Sequence, residues 1–188
     1  MPLGRHLRLL SGFGLLHGIA EWAYIFLSPG LETGGWQTLR GSVLGGGHAF
    51  LISISFAFLF SFGSSLSGNR PAVNKWLPYL PWAALSFWIY LLFSLFARST
   101  GNPQAWLTYA EIWSRYVLAF PGALLSSWGL WVQREEVRKL NDVKIERNLI
   151  GGTLVFLLYA FAGGLVVPPA KFFPANIIKG FMKIGQPD

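Results

Sequence analysis

The chain has no cysteine. That excludes a disulfide framework, a thiolate nucleophile and a cysteine-ligated metal cluster. Charge is scarce as well. Only 12% of the 188 residues are Asp, Glu, Lys or Arg, about half the ~25% typical of a soluble domain. Acids are the scarcer sign, eight against fifteen bases. No apolar stretch alternates with period two, which excludes a β-barrel. There is no P-loop, dinucleotide fingerprint, HExxH pattern or nucleophile motif, so an enzyme is not expected. The GxG at Gly12 and Gly14 falls in an apolar run and needs only a packing explanation.

What the chain does have is apolar length. Hydrophobic residues make up 53% of it and aromatics 16%, with nine Trp. Trp and Tyr gather where membrane helices meet headgroups. Five runs are long enough to span a bilayer as helices, which needs about 20 residues. They cover about 9–27, 43–62, 77–97, 112–132 and 149–167. The basic start MPLGRHLR resembles a signal peptide, but the run after it exceeds an h-region of about 7–15 residues. It therefore reads as a permanent span. Turn-forming Gly, Pro, Asn and Ser separate the runs. The expected fold is an all-α integral membrane bundle of five transmembrane helices, a single domain over 1–188. A C-terminal amphipathic surface segment, 168–188, alternates Phe, Ile and Met with Lys171, Lys179 and Lys183.

The net charge of +7 marks cytoplasmic loops rather than nucleic-acid binding. With the N-terminus inside, nine Lys and Arg lie inside and six outside, and five of the nine fall between Arg134 and Arg147. A cytoplasmic N-terminus is favoured. The densely charged stretch at 133–148 reads as a solvated helical hairpin, with docking of a cytoplasmic partner as the alternative. Pro121 inside the fourth run is expected to kink its helix. Gly151, Gly152, Gly163 and Gly164 are expected to let helices approach closely.

Polar residues inside the runs are the candidate functional groups. His17 and Glu21 are four apart in the first run and share a helix face. A carboxylate there needs a partner or a role. Alternating topology puts Glu21 roughly 9 Å, His48 roughly 7–8 Å and Arg115 roughly 4–5 Å from the outer surface. His17, Glu21, His48, Glu111, Arg115 and Tyr116 then form one cluster in the outer half. Four readings stay open. Glu21 pairs with Arg115 as a structural pin; the cluster lines a small-ligand pocket; His17 and His48 hold haem or, with Glu21, a metal ion; or His17 and Glu21 relay protons.

Four segments carry a family resemblance. FGLLHGIAEW at 13–22, SFAFLFSFG at 55–63, RYVLAFPGALLSSWGLWVQ at 115–133 and GGLVVPPAKFFPANII at 163–178 resemble the multispan membrane N-terminal region of bacterial sensor histidine kinases and some diguanylate cyclases. The resemblance implies a bacterial inner-membrane sensory module. His17, Glu21, Trp22, Arg115, Pro121, Pro168, Pro169 and Pro174 sit in the matching segments. The family's kinase or cyclase part has no counterpart in these 188 residues, neither a phosphoacceptor-histidine helix nor an ATP-binding segment. The function expected is sensing of a small or lipid-like ligand around His17, Glu21, Trp22, His48, Glu111, Arg115 and Tyr116, with output through a partner. The alternative is a small structural or accessory subunit of a larger membrane complex, one of electron transfer included, holding lipid or pigment. No cofactor is named by the residues; haem and lipid are the two weighed.

Overall fold

A computed structural model describes residues 3–32, 39–67, 76–98 and 102–167. The expected surface segment at 168–188, with Pro168, Pro169 and Pro174, lies outside the described residues. Among those described, every regular element is helical. They are α1 (Leu3–Glu32), α2 (Leu39–Ser67), α3 (Leu80–Arg98, after a 3₁₀ turn at Leu77–Tyr79), α4 (Pro103–Ser114), α5 (Phe120–Arg138) and α6 (Val143–Tyr159). A π-turn at Arg115–Ala119 joins α4 to α5 without a break, and a second at Ala160–Leu165 extends α6. The described residues thus form five helical rods.

Rods consecutive in the chain run antiparallel, as their side-chain pairings show. His6 meets Ser65 at 2.8 Å, His17 meets Ser55 at 3.1 Å, and the Tyr24 ring lies 5.1 Å from that of His48. Trp88 Nε1 donates to the Ala110 carbonyl and Trp106 Nε1 to that of Leu92, each at 2.9 Å, tying α3 to α4. Ser127 donates to the Thr153 carbonyl at 2.9 Å between α5 and α6. The centre of the bundle is α2 against α5. There Gly122, Ser126 and Gly129 form a small-residue stripe along Phe60, Gly63 and Leu66. A Cβ on Gly63 would come within 2.5 Å of the Ser126 backbone nitrogen, and one on Gly122 within 3.0 Å of the Phe60 backbone. Ser126 donates its proton to the Gly122 carbonyl of its own helix at 2.8 Å, with the Leu59 carbonyl across the seam at 3.2 Å. Such close backbone approach with small residues is how helices pack where burial alone supplies no drive.

Pro121 does not break its rod. Proline lacks the N–H that would bond four residues back. The π-turn just before it lets Phe120 N–H reach the Arg115 carbonyl, so the ladder is re-registered ahead of the gap. The charged stretch at 133–148 is the expected helical hairpin. α5 ends at Arg138, and Asn141 takes a left-handed φ of 56°. Asp142 then caps α6 by accepting from Ile145 N–H at 3.1 Å. Arg134 and Glu146 pair across it at 2.9 Å. Of the four glycines expected at close contacts, Gly164 meets the Phe120 backbone and Gly152 meets Leu130, Gly163 meets the ring of Tyr159 on its own helix, and Gly151 faces open space.

The span count departs from expectation. Among the described residues, four helices are long and apolar enough to cross a membrane: His6–Phe26, Gly41–Ser67, Leu77–Ala97 and Val143–Leu165. The rod containing the expected run 112–132 is not one of them. It lies among the other rods, and its positions there are taken by Ser114, Gly122, Ser126, Ser127 and Gly129, all buried. A helix that packs on protein through most of its surface needs small residues more than apolar ones.

Candidate functional site

The rod begins earlier than its apolar residues do. Asn102 accepts from Ala105 N–H at 3.0 Å and Pro103 occupies the first helical position, a cap and start that suit each other. This adds α4 to a run expected to begin at 112. It also puts Gln104, Thr108, Glu111 and Arg115 on one face, at steps of four, three and four residues. That stripe faces α1 and α2. Between the three helices is a cavity of about 300 Å³ whose polar lining is Tyr24, His48, Gln104, Thr108 and Glu111. It lies at the end of the bundle where α1 leads into α2 and α3 into α4.

The geometry replaces the expected Glu21–Arg115 pin. Arg115 turns to its own helix: its NH2 and Nε donate to Glu111 Oε1 at 2.7 and 3.2 Å. Its NH1 donates to the Gly163 carbonyl at 3.2 Å, which the second π-turn presents. Glu21 instead lies 4.0 Å from His17 Nε2 in its own helix, half exposed. The two carboxylates and the guanidinium do share a height in the bundle. Rotation about the helix axes, which depth does not determine, gives Arg115 to Glu111.

His17 is held on all sides. Ser55 donates its one proton to the Ile52 carbonyl at 2.7 Å, so its oxygen accepts from His17 Nδ1. The rings of Phe13 and Phe56 flank the imidazole at 5.1 and 5.3 Å. With Nδ1 used, Nε2 facing Glu21 and aromatics beside the ring, His17 is poorly placed to take a haem axially. Among the described residues no three His, Asp or Glu converge as metal ligands. His48 is different. Its Nε2 is buried and has no hydrogen-bond partner among the described residues.

The site residues read from the sequence therefore divide. His48 and Glu111 line the cavity, Arg115 holds Glu111 from one turn below, and His17 with Glu21 forms an adjoining pair on α1. Trp22 lies on the outward face, 64% exposed, against Phe26. Tyr116 packs beside Trp113 and the Ile112–Val167 contact, away from the cavity lining. Tyr24, Gln104 and Thr108 were missed. The Asn-Pro start and the Gln–Thr–Glu–Arg periodicity were the signals that could have found the last two. Comparison with protein-family models, curated proteins and solved structures gives no match.

Proposed function

We propose that this chain is a membrane-embedded sensing module that binds a small or lipid-like ligand in the α1–α2–α4 cavity and passes a helix shift to a partner. The observation that carries it is the cavity itself. Ligand sites join apolar walls with a few convergent polar groups in about 300–1,000 Å³. This one joins Ile52, Ala49 and Leu107 to Tyr24, His48, Gln104, Thr108 and Glu111 within about 300 Å³. A binding role rather than catalysis is the reading. The likeness of four segments to the membrane region of bacterial sensor kinases points the same way.

In this reading all five rods cross a bacterial inner membrane. The fourth is shielded by its neighbours and needs no apolar exterior. The basic hairpin 133–148 and the N-terminus face the cytoplasm, where the hairpin is the surface open to a partner. Arg115 supplies a route out of the pocket, because it holds Glu111 on the rim and the Gly163 carbonyl near the end of the last rod. A ligand that draws on Glu111 loosens the second contact.

The test is extraction of the full chain with its native lipids, followed by mass spectrometry of retained small molecules. The wild type should retain one species near stoichiometry. Ala49→Phe, which fills the cavity wall, should lose it while circular dichroism stays unchanged. Equal retention by both overturns the pocket. Stoichiometric large subunits travelling with the chain would put the accessory-subunit reading in its place.

A further inference from the structure

We infer that the α1–α2–α4 cavity selects an ammonium group, carried by a free amine or by an amine-headed lipid. This rests on the pocket proposed above and adds the sign and hydrogen-bonding character of its occupant.

Charge comes first. Among the residues that line the cavity, Glu111 is the one charged side chain, and no Lys or Arg lines it. Arg115 meets that carboxylate from outside the lining and through Oε1 alone. A carboxylate in or near hydrocarbon is costly, and a cationic occupant at its free oxygen lowers that cost.

Hydrogen-bonding capacity agrees. Glu111 uses Oε1 for both bonds from Arg115, while Oε2 takes none from a described residue. Thr108 spends its proton on the Gln104 carbonyl at 3.0 Å, so toward the cavity its hydroxyl can only accept. Arg115, the one strong donor at hand, has its three nitrogens committed to Glu111 and Gly163. Glu111 Oε2 and the Thr108 hydroxyl are thus left as acceptors, and the donors that Gln104, Tyr24 and His48 bring to the lining include no Lys or Arg. An ammonium brings three donors and a positive charge. A carboxylate would add a second acceptor to Glu111. The Tyr24 ring on the wall adds a face suited to cations.

The experiment uses the full chain in phosphatidylglycerol nanodiscs at neutral pH. Three probes of equal length, hexylammonium, hexanol and hexanoate, are titrated by calorimetry. Hexylammonium should bind about tenfold or more tighter than hexanol, the worth of one charge-assisted hydrogen bond. Glu111→Gln should erase that preference. Thr108→Val leaves the Glu111–Arg115 pair intact and should weaken hexylammonium by about threefold to tenfold, so the result does not hang on one variant's folding. Equal or tighter binding of hexanoate or hexanol overturns the ammonium assignment and leaves the pocket standing. No binding of any probe overturns the assignment too, and the pocket is then judged by the Ala49→Phe retention experiment alone. Repetition in phosphatidylethanolamine discs separates the sources. Weakened hexylammonium binding there identifies the lipid headgroup as occupant, and unchanged binding identifies a free amine.

Discussion

The second helix and the three outer helices are alike in being long and apolar enough to cross a membrane, yet they are buried to opposite degrees. Two-thirds (67%) of the α2 span is buried inside the bundle, against 6% for α1, 11% for α3 and 11% for α6. A helix that is apolar and buried is a core helix of any protein. A helix that is apolar and bare has its apolar surface in contact with whatever surrounds the protein. Leu15, Tyr90, Phe93, Leu158 and Val155 are each more than 60% exposed, and such continuous apolar surface is rare on water-soluble monomers. The contrast therefore supports a lipid surround. It also separates two kinds of helix by what holds them: close packing inside, solvent affinity outside.

The comparison can be broken at either side. The largest effect is expected at the centre, where Gly63→Leu must displace the α5 backbone; overpacking of this kind costs about 3 kcal/mol. Unfolding in mixed micelles should show a fully destabilised variant, while Leu158→Ala on α6 should match wild type. Next comes Leu158→Asp. Its side chain is 70% exposed on the outer face of α6, and a carboxylate at mid-bilayer costs about 3 kcal/mol in insertion. A glycosylation-reporter assay should show reduced insertion; normal insertion would mean that this face is not in lipid.

The site offers a smaller effect. Arg115→Gln removes both bonds to Glu111 and should cost about 2 kcal/mol, in the range for hydrogen bonds between charged groups. A double-mutant cycle of Arg115→Gln with Glu111→Gln should give a coupling of about 1 kcal/mol or more, and the same cycle with Glu21→Gln about zero. A strong Glu21 coupling would restore the cross-helix pin. Smallest is Ser126→Ala, which deletes the hydroxyl that donates to the Gly122 carbonyl and sits against the Leu59 carbonyl across the seam. About 0.6 kcal/mol is expected for a polar contact between membrane helices.

The helical rods were legible in the apolar runs because a helix of about 20 such residues has few other fates. The hairpin at 133–148 was legible from its mixed charge. The early start of α4 was written in Asn102-Pro103 but hidden, because polar residues near a membrane helix read as a loop. The Glu21–Arg115 pair failed for a different reason. Counting residues from a span's end gives height at 1.5 Å per step, but not the rotation that decides which neighbour a side chain meets. Trp22 illustrates the same point: one residue past Glu21, it faces outward.

Composition and run length by themselves determined that this chain is helical, that it has apolar rods to spare, and which few residues in them are polar. Tertiary structure alone decided which rod is central, that a π-turn carries the chain over Pro121, that Arg115 belongs to Glu111, and that a cavity opens beside His48. The physical reason is that hydropathy and rise act along the chain one residue at a time. Azimuth, close approach and empty space are properties of pairs of helices, set by small residues such as Gly63 and Gly122 only once the partner is in place.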